Sequence, residues 1–331
     1  MNCVKERITS KELAKLIGVS SATISRAFSA NGRISEQTRV RVLAIAQQYG
    51  YQPNAIARTL NNRRSHLVAV VVNAVANQCE AQQLEILVHR LQARSLVPII
   101  LCCGDTTDRL QLMRLASTYQ VDYAVIFSDL VSLKDAVQIF RTTRPIIVSE
   151  EPIQDARASS VRFDGAEAAA EIVDKLIDDG RGHFAYLCGR KSSWIDKQRR
   201  DWFGDALSRH GLAFEAEGHG DYSYDSGFKE ASLLLRRSKV EALVCGNDVM
   251  AIGARDAAVR LLGRQVPGDL AIVGQDGIAM AGWECHDLTT LALDQAAFID
   301  AVVELIERQE TGNDTASTAV VKGKARWGST A

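Results

Sequence analysis

The run Ser21-Ala22-Thr23-Ile24-Ser25-Arg26 combines short hydroxyl side chains, one methyl and one guanidinium. On a helix laid in the major groove of B-DNA, short side chains of this kind let the backbone come close. There a guanidinium can pair with guanine O6 and N7, and a methyl can meet the thymine methyl. Arg26 and Ala22 are the candidates for those two contacts, with Thr23 and Ser25 placed to reach phosphates or neighbouring bases. The charge distribution suits a polyanion at this end of the chain. Residues 1–64 hold eleven Lys/Arg against three acids, and the remaining residues hold 28 basic against 37 acidic. The net charge of −1 therefore hides a basic head on an acidic body.

A helix-turn-helix would position that run. Thr9-Ser10-Lys11-Glu12 has the form of a capping box and opens an apolar helical pattern through Leu13, Ala14, Leu16 and Ile17. Gly18 follows where a helix end needs a positive φ. Val19 can enter the core, and Ser20 or Ser21 can cap a second helix reaching about Phe28. A third helix, from Ser35 to about Tyr49, offers Val42, Leu43, Ile45 and Ala46 to close a three-helix core. Gly50-Tyr51-Gln52-Pro53 then interrupts the chain. The segment 54–61 is too short to hold as a lone helix in water. Beside Arg58, Arg63 and Arg64, it is expected to order only against DNA or a partner chain.

From Leu67 onward the rhythm becomes that of an α/β protein. Short apolar strands are expected at 67–72, 97–102, 123–127, 145–148, 160–163, 184–187, 242–244 and 270–273, with helical stretches between them. Fully buried runs alternating with helices imply parallel sheets covered on both faces. Two such series imply two similar lobes, with a cleft beyond the strand C-termini where open α/β sheets bind ligands. No apolar run approaches the roughly 18–20 residues of a membrane helix, and the first ten residues lack a signal-peptide core. GxSxG, Walker A, GxGxxG and HExxH motifs are all absent, which argues against an enzyme. Seven cysteines without CxxC spacing and six scattered histidines suggest thiols buried in a reducing cytoplasm, with neither a disulfide framework, a metal site nor a cofactor.

Five successive motifs turn this outline into a resemblance: residues 8–20, Thr23–Phe28, Ile34–Arg39, Gly50–Asn54 and Ala57–Leu60. In register over about 60 residues, they resemble the DNA-binding head of the lactose/galactose-repressor (LacI-type) family. Val161–Gly165, Cys245–Ala254, Val266–Asp276, Leu288–Thr290 and Arg326–Thr330 are similar to the same family's effector domain, so the resemblance spans essentially the whole chain. It implies an all-α helix-turn-helix head (1–50), a hinge helix and linker (51–64), and a two-lobed α/β core with parallel sheets like a periplasmic binding protein (65–331). The N-lobe is expected at 65–160 plus 291–320, and the C-lobe at 161–290 plus 321–331.

The resemblance also implies partners: an operator in double-stranded DNA, bound as a homodimer without a membrane, and a small-molecule effector. The implied DNA-contacting residues are Thr9, Ser20, Ser21, Ala22, Thr23, Ser25 and Arg26 in the head, with Asn54, Ala57, Arg58 and Leu60 in the hinge. Leu60 matches a leucine that family members wedge into the minor groove. Arg199, Tyr222, Asn247 and Asp276 fall where family members contact the effector, and Glu150 stands in for a frequent aspartate. Carboxylates accept from hydroxyls, a guanidinium bridges adjacent oxygens and a phenol ring offers a flat face, a set that suits a polyol, a monosaccharide or a sugar acid. Trp194, expected in a loop ahead of Arg199, is a candidate to stack on the ligand, and Asp248 is expected to cap the following helix. A purine-like corepressor, a protein partner and a sugar-processing enzyme are the alternatives. The chain departs from the family at Asn77-Gln78-Cys79-Glu80, where Asn-Pro-Phe-Phe is frequent, at Tyr123 and Phe127, and at Trp202-Phe203.

Overall fold

The computed structural model describes residues 8–29, 32–53, 64–104, 108–128, 130–149, 153, 155–190, 193–312 and 315–331. The expected hinge segment, with Asn54, Ala57, Arg58 and Leu60, lies outside them, as does Glu150. The chain divides into two compact units, 1–65 and 66–331.

The first unit contains helices α1 (Ser10–Ile17), α2 (Ser21–Ala27) and α3 (Glu36–Gln48). Each begins at a side-chain cap. Thr9 and Glu12 form a reciprocal capping box, and Ser20 and Ser35 accept the N–H groups of Thr23 and Thr38. Gly18 ends α1 at φ 78°, its N–H donating to the Ala14 carbonyl. Leu13, Ala14, Ile17, Ile24, Ala27, Val42 and Ala46 make the buried core. Leu43, expected inside, is 38% exposed, because α3 turns the neighbouring Val42 inward instead. Two α3 arginines serve the fold. Arg39 donates to the carbonyls of Ala27, Ser29 and Gly32, and Arg41 to that of Ile17, so both satisfy orphan groups at helix ends.

The second unit contains two six-stranded sheets. The first runs in the order β2 (Val97–Cys102), β1 (Leu67–Val72), β3 (Tyr123–Ile126), β4 (Ile146–Ser149), β5 (Ser159–Asp164) and β11 (Thr318–Lys322), all parallel. The second runs β7 (Phe214–His219), β6 (Phe184–Cys188), β8 (Ala242–Cys245), β9 (Ala271–Asp276), β10 (Thr289–Ala292) and β12 (Lys324–Arg326), with only β12 antiparallel. Helices α4 (Gln78–Gln92), α5 (Arg109–Thr118), α6 (Leu133–Ile139), α7 (Ala166–Asp178), α8 (Trp194–Ser208), α9 (Tyr224–Arg237), α10 (Asp248–Asp256) and α11 (Gln295–Glu310) lie between the strands. Because crossovers of this kind put helices on both faces, the strands of each sheet are mostly apolar throughout.

The chain passes between sheets three times, each slightly later than expected. Residues 161–164 complete β5 in the first sheet, 291–292 complete β10 in the second, and 321–322 complete β11 in the first. At the last crossing a Cβ on Gly323 would come within 3.1 Å of Leu291 and Phe163, so only glycine passes there without displacing them. Two strands also differ from the sequence reading. β2 is an edge strand with Val97 and Ile100 exposed, although its apolar run reads as buried. β7, which alternates polar residues, was not expected at all, as its burial on one side only befits an edge.

Candidate nucleic-acid interface and interlobe cleft

On α2, Ser21, Ala22, Ser25 and Arg26 form an exposed face opposite the buried Ile24 and Ala27. This is the 3.6-residue period at work: positions four apart share a side, so one short helix buries one stripe and presents the other. Thr23 is half-buried and its hydroxyl bonds that of Ser20 at 2.9 Å, so both residues take part in the cap. Thr9 is likewise exposed but tied to Glu12. Those bonds hold the Glu12 carboxyl below its ordinary range, the Thr9 backbone N–H contributing most.

In the second unit, Arg199, Tyr222, Asn247 and Asp276 surround one cavity of about 110 Å³ between the lobes. The lining also carries Phe127, Phe163 and Phe298 beside the polar Asn73, Glu80 and Gln83. Arg199, on α8, donates from Nη1 to Asp276 Oδ1 at 2.6 Å and to the Gly246 carbonyl at 3.2 Å. The two side chains are 11% and 7% exposed, so this is a buried ion pair. Burial raises the Asp276 carboxyl above its ordinary value, and the Arg199 guanidinium opposes the rise. Asp276 closes β9 at φ 115°, a conformation few non-glycine residues adopt.

Asn247, rather than Asp248, caps α10: its Oδ1 accepts the Met250 N–H at 2.9 Å and its Nδ2 donates to the Tyr222 carbonyl at 3.1 Å. Asp248 lies one residue inside the helix and is fully buried. It accepts from the Thr290 hydroxyl at 2.5 Å and the Ile278 N–H at 2.9 Å. Burial, reinforced by the Asp276 charge, pushes its carboxyl up to about 7. Tyr222 holds φ 72°, and the Arg190 guanidinium lies 5.6 Å from its ring centroid, on a face expected to receive a ligand. A Cβ at Gly189 would fall within 2.7 Å of that ring, so glycine is what lets the tyrosine sit there. Trp194 is the first residue of α8 and not part of a loop; its side chain lies outside the description.

Sequence reasoning missed the glutamines that link the lobes. Gln295 Nε2 donates to the Asp276 carbonyl at 3.2 Å, and Gln83 Nε2 donates to Gln295 Oε1 at 2.8 Å. Cys79 Sγ accepts from both amides, at 3.5 and 3.6 Å. Burial pushes its thiol well above the ordinary value, and the Asp276 charge adds to the effect. Trp202, another departure from the family pattern, packs edge-on against Phe163 at 5.6 Å, joining α8 to β5. Arginine and aspartate advertise a binding role by their charge. Glutamines near a cleft carry no comparable pattern.

A head that presents one helix face, joined to a two-lobed α/β body with its cavity between parallel sheets, is the build of a ligand-responsive DNA-binding regulator. Residues 9–54 match the bacterial regulatory proteins of the lacI family, and residues 173–329 match the periplasmic binding protein-like domain. The chain is 28% identical over 323 residues to the HTH-type transcriptional regulator AscG of Escherichia coli (strain K12), covering 96% of each chain. It is 27% identical to catabolite control protein A of Priestia megaterium, covering 95% of this chain and 96% of that one. In fold it is similar to the lac repressor dimer bound to operator and the anti-inducer ONPF, with a TM-score of 0.88, 22% identity and coverage of 98% and 99%. The chain thus carries a lacI-family DNA-binding head and a periplasmic binding protein-like body, and these relatives are transcriptional regulators. Its relatives and structural neighbours are regulators and not enzymes. Among the described residues no helix is long and apolar enough to cross a membrane.

Proposed function

We propose that the chain is a cytoplasmic repressor that binds a pseudo-palindromic operator as a homodimer, and that a small sugar-like molecule in the interlobe cavity sets its operator affinity. The observation that carries this reading is the exposed α2 face of Ser21, Ala22, Ser25 and Arg26, backed by a core that leaves those side chains free of packing duties. Arg26 reads a guanine, Ala22 a thymine methyl, and Thr9, Ser20, Thr23 and Ser25 hold the backbone. Asn54, Ala57 and Arg58 order on DNA, and Leu60 wedges a minor-groove step. Exposed Val97 and Ile100 on the β2 edge, with exposed Leu115 on α5, supply apolar surface for a second copy.

The effector is a polyol, a monosaccharide or a sugar acid held by Arg199, Asp276, Asn247 and Tyr222, with Trp194 and Glu150 as further candidate contacts. The cavity of about 110 Å³ is small for a hexose, and movement of the lobes apart would enlarge it. Such a ligand changes operator affinity only through its different affinities for the parted and closed arrangements. A purine-like ligand is the second reading, favoured by Phe127, Phe163 and Phe298 in the lining.

The test pairs selection of genomic fragments by the purified chain with a thermal-shift screen of sugars, sugar acids and purines. One fragment should be retained at salt concentrations that release random duplex. Arg26→Ala should weaken its binding by about 1–3 kcal/mol and relax the preference at one base pair. Absence of any preferred fragment, with or without the ligands, would sink the proposal.

A further inference from the structure

A cluster outside the cleft joins three side chains that coordinate metals. Cys188 ends β6, and Glu217 and His219 lie near the end of β7. Cys188 and His219 are register partners on these parallel strands, and Glu217 is two residues before His219. Since strand side chains alternate, register places all three on one face of the sheet. One ligand atom from each residue lies within 4.8 Å of the others, and Cys188 Sγ is 3.9 Å from Glu217 Oε2. Tetrahedral zinc bonded at about 2.0–2.3 Å needs ligand atoms about 3.3–3.8 Å apart, which small side-chain rotations would reach.

We infer that Cys188, Glu217 and His219 form a binding site for a zinc-like divalent cation, with water completing its coordination. The mixed sulfur, nitrogen and oxygen set selects a borderline-soft ion over magnesium or calcium, which take oxygen ligands. A thiolate and a carboxylate carry the charge a dication needs; of the charges beside them, Arg200 is bonded to Glu217, and Asp196 lies near both Cys188 and His219. Both flanking residues belong to α8 and hold the site from behind. Arg200 Nε donates to Glu217 Oε1 at 2.9 Å, leaving Oε2 toward Cys188, and Asp196 Oδ1 accepts the Gly189 N–H at 2.8 Å. Cys188 is buried, whereas Glu217 and His219 are exposed, so the ion can enter from solvent. The position gives the site a consequence for the cleft. Gly189-Arg190 follows Cys188 directly and Gly220-Asp221-Tyr222 follows His219, so an ion here ties together the roots of both segments that carry Arg190 and Tyr222 to the cavity wall.

The test uses the full chain, stripped with a chelator and kept reduced with a phosphine, then titrated with Co²⁺. A thiolate-to-cobalt charge-transfer band should saturate at one equivalent and be displaced by Zn²⁺. It should disappear in Cys188→Ser and persist in Cys79→Ser, Cys102→Ser and Cys285→Ser. Because Cys188 is buried and its substitution also perturbs the core, the exposed ligands give an independent reading. His219→Ala and Glu217→Gln should each lower Zn²⁺ affinity at least about tenfold. No band at stoichiometric Co²⁺, a band that survives Cys188→Ser, or Zn²⁺ affinity within twofold of wild type in His219→Ala would overturn the site.

Discussion

The head and the interlobe cleft are built on opposite plans. In the head, each helix start is fixed within a few residues: Thr9 with Glu12, Ser20 with Thr23, Ser35 with Thr38. In the cleft, the decisive contacts span the chain, 77 residues from Arg199 to Asp276 and 212 from Gln83 to Gln295. Among its described residues the head has seven buried apolar ones to hold it, whereas a single cluster in the body gathers strands and helices of both lobes. A reader made from local signals can fold around a small core, because its capped helices need little help. A cleft between two lobes draws its polar groups from distant segments, so that any movement of one lobe would break or make several bonds together.

The cleft should show the largest single-residue effect. Arg199→Ala leaves Asp276 charged, buried and unpaired, and should cost the body about 3–5 kcal/mol in urea unfolding followed by tryptophan fluorescence. Arg199→Ala combined with Asp276→Asn should cost less than the single variant, since no charge is then stranded. A single variant as stable as wild type would mean that the pair is not buried in solution. All four tryptophans lie in the body, so the fluorescence signal is silent about the head.

That silence makes the matching head experiment clean. Leu13 is fully buried, and Leu13→Ala should cost about 2–5 kcal/mol. A seven-residue core cannot absorb such a loss. DNA retention should vanish while the fluorescence-detected transition of the body stays in place. If both moved together, the two units would not be energetically separate.

What could be read ahead of the structure follows the same division. The Thr9–Glu12 box, a serine cap on α2 and the Gly18 stop come from local pattern and are where the residues predict, whereas Leu16, part of the same apolar pattern of α1, is exposed. Arg39 and Arg41 count among the basic residues of the head, and nothing in the sequence says that their guanidinium groups reach carbonyls 10 and 24 residues away. β2 reads as buried because its run is apolar, yet only the order of strands decides which one lies at the edge. The α10 cap was misplaced by one residue: Asn247 and Asp248 are both competent caps, and the pull of Thr290 and Ile278 on Asp248 is long-range. Arg199 and Asp276 were expected at the cavity, but their bond to each other was not.

A milder substitution sharpens the contrast without removing the core. Gly18 sits at φ 78°, and a Cβ there would meet nothing within 4 Å. Gly18→Ala therefore charges the head only for a left-handed backbone, about 1 kcal/mol. The head's thermal transition by circular dichroism should fall while the surface that meets DNA stays intact. Binding lost at a temperature where the head remains folded would show that Gly18 does more than stop a helix.

The smallest effect belongs to the body's surface and depends on pH. His183 Nδ1 lies 2.7 Å from Glu215 Oε1, a contact that raises the imidazole pKa above its ordinary value, chiefly through the hydrogen bond to the carboxylate. The folded state thus binds the proton more tightly than the unfolded chain. The pair's contribution is fully present below the unfolded ring's pKa of about 6.5 and is lost as pH rises through the folded value. Both side chains are about half exposed, so solvent and salt weaken the attraction. Wild type and His183→Gln should therefore differ slightly in body stability in mildly acidic, low-salt buffer and converge as pH rises or salt is added. Curves that separate with rising pH would mean that the neutral ring is the form the fold prefers. DNA retention by the head should not respond to this substitution at any pH, since no bond of its own core involves the pair.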